Sequence, residues 1–193
     1  MIEYTLNTEL HTGTESTIRN RIVQASLRYI GYPSTRYKGR SNVMNTDFGF
    51  TCAGLVRQVL LEAGVPLLPF KTFGQNGLPE ERELCHANEF FVKFGEPVDG
   101  RLKKPGDLVF FSKRGLVVKH VGIVIDDDHC VYSPGRDTGK VMIGDIYNLP
   151  HFPKDIPFLL SEQRYLTNPV GFRTPVEFNG DINRNLRWPE KPI

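Results

Sequence analysis

The sequence predicts an α+β domain in which N-terminal helices pack on an antiparallel sheet. In the first half of the chain, apolar residues recur with helical spacing; after Lys104-Pro105-Gly106 they form short runs that alternate with turn residues. Helices that come first, followed by strands with short connections, are typical of an α+β fold with antiparallel pairing. The length of 193 residues is typical of one domain.

Three helices are predicted, each from its apolar stripe and from residues that begin or end a helix. Ser16 or Thr17 is a suitable cap for the first helix, and Gly64 is a suitable stop for the second. Pro79 and the glutamates that follow it are typical of a first helical turn. The predicted helices run from residue 16 or 17 to 30, from near 52 to 64, and from 79 to 94.

The second half of the chain predicts strands at 107–112, 120–126, 130–133, 140–146 and 170–173. A long polar loop, 32–50, precedes the second helix, and loops of this length are often functional. We expect residues 1–15 to form a lead-in, 16–175 the domain, and 176–193 a C-terminal tail rich in Asn, Pro and charge.

The charge balance and hydropathy exclude several function classes. The chain has 24 basic and 22 acidic residues, a net charge of +2, which argues against nucleic acid as the main partner. No stretch is long and apolar enough to predict a membrane span, and the polar N-terminus does not resemble a secretory signal. We therefore expect a protein that is cytoplasmic as synthesised, or that reaches the cell wall by a non-classical export or injection route.

The cysteines do not predict a disulfide framework, since Cys52, Cys85 and Cys130 cannot all pair. Cys85-His86 and His129-Cys130 are adjacent pairs and lack the usual spacing of zinc ligands. The prediction is that Cys85 and Cys130 are buried structural residues. No metal or cofactor is expected.

Cys52 is the strongest candidate for chemistry, because it lies where a Gly-containing loop gives way to an apolar helix. A helix N-terminus presents the positive end of the helix dipole and unpaired N–H groups, which favour the nucleophilic thiolate. We predict a pKa below the usual thiol value of about 8.5. His120 opens a strand pattern and is the candidate base. The other four histidines lie in polar settings and are expected at the surface.

Four segments, in order, resemble the NlpC-type papain-like cysteine peptidases, which cut peptide bonds in bacterial peptidoglycan. They are Thr51-Cys52-Ala53-Gly54-Leu55-Val56, Leu68-Pro69 followed by Gln75, Lys104-Pro105-Gly106-Asp107-Leu108-Val109-Phe110-Phe111 and His120-Val121-Gly122-Ile123. The resemblance runs from about Ile18 to Arg173. It implies a papain-like NlpC-type fold, with Cys52 as nucleophile, its backbone N–H as oxyanion donor and His120 as base. The usual target of this family is the γ-D-glutamyl to diamino-acid bond.

The chain departs from the family pattern around the nucleophile and at the third catalytic position. Thr51 stands where the family usually has Asp, and Ala53 stands where it usually has Ser; both are predicted substrate contacts. Tyr37 is the predicted match for a substrate-binding Tyr in the preceding loop. A third residue, commonly His, orients the base in the family, and the matching residue here is Tyr132. We expect its hydroxyl, or a neighbouring backbone carbonyl, to face the distal nitrogen of His120. Orientation by Ser133, a backbone carbonyl or water stays open, as does a tyrosine that only packs in the core.

The predicted function is therefore a cysteine endopeptidase or amidase that hydrolyses an amide bond in a peptidoglycan stem peptide. Two alternatives remain open from the sequence: a thiol acyltransferase on the same scaffold, and a catalytically inactive binding module. Three biological roles stay open from the sequence: a phage lysis or tail protein, a toxin injected by a secretion machine, and a cytoplasmic recycling enzyme. A delivery or immunity protein is a further candidate partner.

Overall fold

In a computed structural model of the chain, the described residues form three α-helices and eight strands. The structure describes residues 14–35, 49–67, 69–73, 78–113, 117–134, 139–147, 149 and 169–175. The helices are α1 (Thr14–Arg28), α2 (Cys52–Glu62) and α3 (Ala87–Lys93). The first two match their predicted positions, and Gly64, two residues after the end of α2, has a φ of 81°, the left-handed conformation that favours glycine.

Six strands form one antiparallel sheet in the order β3-β8-β4-β5-β6-β7. Their bounds are β3 (Glu96–Val98), β4 (Leu108–Lys113), β5 (Val117–Val124), β6 (His129–Tyr132), β7 (Met142–Asp145) and β8 (Gly171–Thr174). The central strands β4, β5 and β6 are consecutive in the chain, as short connections between antiparallel strands require. The predicted α+β class with helices before the main sheet is confirmed.

The predicted helix over residues 79–94 is wrong in its first half. Residues Pro79–Arg82 form strand β2, which pairs antiparallel with strand β1 (Phe70–Phe73) in a separate two-stranded sheet. Proline is compatible with the first residue of a strand as well as of a helix, so its position did not decide between them. The helix begins only at Ala87, where the Glu89 carboxylate accepts hydrogen bonds from the backbone N–H groups of Cys85 and His86.

Two apolar clusters cover the two faces of the sheet. The larger one joins the helices to one face of the sheet and includes Leu55, Phe90, Phe110 and Ile123, all fully buried. The smaller one lies on the opposite face and includes Phe111 and Tyr132. Alternate residues of a strand point to opposite faces, which explains why Phe110 and Phe111 belong to different clusters. Phe111 and Tyr132, whose rings lie beside His120, therefore both belong to the second cluster.

A buried ion pair fixes α1 to the start of β4. Asp107 is fully buried; one of its oxygens accepts from Lys104 N at 2.8 Å, and the other accepts from the Arg19 guanidinium at 2.7 Å. Arg19 also donates to Pro105 O and to Thr174 Oγ1, at 3.0 and 2.8 Å. The position of Asp107 directly after Pro105-Gly106 predicts its bond to the turn backbone, whereas nothing in the sequence indicates its partner on α1.

Within the described ranges, the helices are all too short or too polar to cross a membrane.

Candidate active site

Cys52 is the first residue of α2, and Thr51 caps that helix. Thr51 has extended backbone angles, φ −76° and ψ 167°, and its Oγ1 accepts a hydrogen bond from Gly54 N at 3.0 Å. This is the geometry of an N-cap, which satisfies one of the unpaired N–H groups at the helix start. The backbone N–H groups of Cys52 and Ala53 lie in the same first turn. The nucleophile candidate therefore lies at the helix tip that the sequence predicted.

The thiol of Cys52 is half-buried, and its environment opposes ionisation. Burial raises the pKa of the Cys52 thiol, while backbone hydrogen bonds with Val121, Ala53 and Cys52 itself act in the opposite direction. The predicted pKa below the usual thiol value is wrong. Desolvation of the thiolate outweighs the helix-end N–H groups, because a charged group loses more by leaving water than it gains from a few partial charges.

His120 lies on the central strand β5, one residue before the backbone group that reaches Cys52. Its neighbour on β4 is Phe111, and the two rings have centroids 5.9 Å apart. On the other side, the ring of Tyr132 meets the imidazole edge-on, with a centroid separation of 5.4 Å and an interplanar angle of 83°. Two aromatic rings therefore flank the imidazole, and the N–H of Val121 links the same stretch of β5 to the thiol.

Tyr132 lies at the predicted position but does not make the predicted polar contact. Continuing the β5–β6 register places it opposite Gly122, diagonal to His120 on the same face of the sheet. The ring is 1% exposed, and its hydroxyl has no hydrogen-bond partner in the described part of the chain. Burial also raises the pKa of Tyr132 to about 12. Among the described residues the expected contact between this hydroxyl and His120 is therefore absent, and Tyr132 meets His120 through its ring. The alternative contact, from a neighbouring backbone carbonyl to His120, stays a prediction.

The position of the Tyr132 ring depends on a glycine in the neighbouring strand β7. A Cβ atom added to Gly144 would lie 2.7 Å from Tyr132 Cε1 and 2.5 Å from Leu149 Cδ1. Such distances are far below ordinary carbon contacts of about 3.5–4.0 Å. The absent side chain at Gly144 thus makes the space that the ring occupies. Spacing in the sequence gave no indication of this contact.

Ser133, the alternative orienter of the base, is bonded elsewhere. Its hydroxyl donates to Phe50 O at 2.5 Å and lies 2.8 Å from Ser34 Oγ. Ser34 and Ser133 are 1% and 0% exposed. These hydroxyls connect the end of β6 to the segment that leads into Cys52, rather than to the imidazole.

The two predicted substrate-contact residues that the structure describes, Thr51 and Ala53, differ in solvent exposure. Thr51 is half-buried, and its hydroxyl oxygen is used by the helix cap. Ala53 is only 2% exposed, so its side chain belongs to the core and its backbone is the part nearest the thiol. Tyr37 falls in residues 36–48, outside the described part of the chain.

Cys85, His86 and Glu89 have potential ligand atoms within 4.8 Å of one another. The start of α3 explains this grouping, because Glu89 Oε2 accepts from both Cys85 N and His86 N at 2.9 Å. Burial and the nearby Glu89 carboxylate raise the pKa of Cys85 to about 11. The prediction that Cys130 is a buried structural residue is confirmed, whereas Cys85 is only partly buried.

Comparison with known proteins agrees with the fold. A profile of the NlpC/P60 family matches residues 35–151, more than half of the chain and a range that includes Cys52, His120 and Tyr132. A search of curated proteins finds no match.

Similar solved structures share the fold at low sequence identity. An NlpC/P60 family protein from Bacillus cereus is 20% identical over 82% of this chain and 40% of its own, with a TM-score of 0.52. The peptidoglycan hydrolase RipB from Mycobacterium tuberculosis is 16% identical over 88% of this chain and 70% of its own, with a TM-score of 0.52. The P60 domain of an antigen from M. avium subspecies paratuberculosis is 14% identical over 86% of this chain and all of its own, with a TM-score of 0.53.

Proposed function

This chain belongs to the NlpC/P60 family, and we propose that it is a cysteine hydrolase that cleaves an amide bond in a peptidoglycan stem peptide. Family membership supports a cell-wall hydrolase, since NlpC/P60 proteins are typically peptidoglycan hydrolases. One observation carries the assignment of the site. The thiol of Cys52, at the tip of α2, lies within hydrogen-bond reach of the N–H of Val121, the residue directly after His120.

In the proposed mechanism, the Cys52 sulfur attacks the carbonyl carbon of the scissile amide while its proton passes to His120. Negative charge develops on the carbonyl oxygen, and the backbone N–H of Cys52 at the helix start is suited to stabilise it. The imidazolium then gives its proton to the leaving amine, and a thioester remains on Cys52. Water, deprotonated by His120, hydrolyses the thioester and restores the free thiol.

Because burial raises the pKa of Cys52, we infer that the thiol is mainly protonated in the resting enzyme and that His120 removes its proton as the attack proceeds. This differs from a papain-type site that holds a preformed thiolate. The ring contacts of Phe111 and Tyr132 would keep the imidazole in a fixed orientation for that transfer. In this proposal Tyr132 is a positioning residue that acts through its ring.

Digestion of purified peptidoglycan, followed by mass analysis of the released peptides, tests the proposal. The wild-type protein should release peptides whose masses identify the cleaved amide. Cys52→Ala and His120→Ala should release none, while both variants keep the wild-type circular dichroism spectrum. His129→Ala is the matched control, because His129 is partly exposed and contacts Asp126 on the surface. Full activity of Cys52→Ala, or equal losses in the two histidine variants, would refute the assignment.

A further inference from the structure

We propose that Ser133 and Ser34 are positioning residues that hold the segment leading to Cys52 against the strand that carries Tyr132. The inference rests on the proposed function, since it concerns the same nucleophile and base. It assigns a role to two buried hydroxyls that the mechanism itself does not use. Both side chains are almost fully buried, at 0% and 1% exposure, and both form hydrogen bonds there.

The hydroxyls form a chain with a defined direction. Ser133 has a single hydroxyl proton, and it donates that proton to Phe50 O at 2.5 Å. At the 2.8 Å contact between the two serines, Ser34 must therefore be the donor and Ser133 the acceptor. Phe50 O also accepts from Thr35 N at 3.0 Å. Every group in this buried chain is satisfied, which is the condition under which such a network stabilises a single arrangement.

The backbone around Phe50 makes the attachment stiff. Phe50 N donates to Pro33 O at 2.9 Å, and Ser34 N donates to Gly139 O at 2.9 Å. Gly49 has a φ of 91°, and a Cβ atom there would lie 2.5 Å from Pro33 O. The segment before Cys52 therefore approaches residues 33–35 more closely than a residue with a side chain would permit.

The network joins the two halves of the proposed catalytic pair. Phe50 lies two residues before Cys52, with only the helix cap Thr51 between them. Ser133 directly follows Tyr132, whose ring contacts His120. The hydroxyl of Ser133 thus connects residues 50–52, which include the proposed nucleophile, to strand β6, whose Tyr132 ring contacts His120. Loss of this contact would leave the backbone hydrogen bonds of Phe50 in place, but residues 50–52 could then shift relative to β6. Small shifts of reacting groups lower the reaction rate strongly.

Site-resolved alkylation of Cys52 tests this inference without a substrate. Iodoacetamide labelling would be followed by peptide mass analysis between about pH 6 and pH 10, in the wild type and in Ser133→Ala and Ser34→Ala. We expect both variants to be labelled at Cys52 about tenfold more slowly near pH 7, where the rate depends on proton transfer to His120, and to approach the wild-type rate at high pH. Labelling of Cys85, which lies just before α3, serves as an internal reference and should not change.

Ser26→Ala is the matched control, because Ser26 is also fully buried and its hydroxyl donates to a backbone carbonyl, that of Val23, at 2.7 Å. It should lose stability without changing the pH profile of Cys52. In peptidoglycan digestion, Ser133→Ala should lower kcat and leave KM nearly unchanged. A wild-type alkylation profile in Ser133→Ala, or an equal shift in Ser26→Ala, would overturn the inference. Failure to digest peptidoglycan would instead count against the proposed function, since alkylation needs no substrate.

Discussion

Tyr132→Phe is the substitution that most directly separates ring packing from hydroxyl chemistry beside His120. The hydroxyl is buried and has no hydrogen-bond partner in the described part of the chain. A buried polar group without a partner costs about 1–3 kcal/mol of stability, so its removal should return free energy of that order. Since about 1 kcal/mol shifts the melting temperature of a domain of this size by roughly 2–4 °C, we expect Tm to rise by a few degrees.

The same substitution should leave catalysis unchanged, because the ring contact with His120 is kept and the lost hydroxyl makes no bond to it. Urea unfolding gives the stability, and Cys52 alkylation with peptidoglycan digestion gives the function. Tyr29→Phe is the matched control: its hydroxyl donates to Glu62, and its loss should lower the free energy of unfolding by about 0.5–1.5 kcal/mol. A destabilised Tyr132→Phe protein, or one with slower alkylation of Cys52, would show that the hydroxyl has a partner and refute the packing interpretation.

Two further predictions concern buried groups. Arg19→Ala should lower the free energy of unfolding by about 3–5 kcal/mol, because it leaves the Asp107 carboxylate buried without its cation, whereas Arg28→Ala at an exposed ion pair should cost about 1 kcal/mol or less in the same urea titration. Burial raises the pKa of Cys130, so the unfolded state releases this proton first, and stability should fall as pH rises above the ordinary thiol range near 8.5. Above that range, the free energy of unfolding of the Cys130→Ala protein should fall by about 1.4 kcal/mol less per pH unit than that of the wild type. Equal slopes of the free energy of unfolding against pH in the two proteins would contradict the prediction.

The succession of helices and then main-sheet strands, and the position of the proposed nucleophile Cys52, were predictable because they depend on local patterns. The apolar stripe of α2 and the loop before it place Cys52 at a helix start in any fold that buries that stripe. Short apolar runs separated by turn residues after Pro105 likewise predict strands, and the short connections between them favour antiparallel pairing. The register of β5 and β6 then follows from burial, and it brings Tyr132 beside His120.

The features that were missed all depend on pairing or packing with another segment of the chain. Pro79–Arg82 became a strand because Phe70–Phe73 offers it a partner, and no local pattern distinguishes that from a first helical turn. The cation that neutralises Asp107 comes from α1, 88 positions earlier in the chain. Gly144, in the next strand β7, has no side chain and so leaves the space that the Tyr132 ring occupies. Contacts of this kind follow from the packing of the whole domain and leave no periodicity to detect.

The pKa of Cys52 shows why position at a helix end does not by itself predict a reactive thiolate. The N–H groups that favour ionisation are present, but the same packing that holds the thiol against β5 also removes it from water. Beside His120, the proposed base, Tyr132 contributes a neutral ring whose hydroxyl has no hydrogen-bond partner in the described part of the chain, so an imidazolium gains no hydrogen bond from it. Both features favour the neutral thiol over a resting ion pair. The enzyme would then depend on accurate placement of the thiol and the imidazole for each proton transfer, which is the property that the Ser34–Ser133–Phe50 network is suited to maintain.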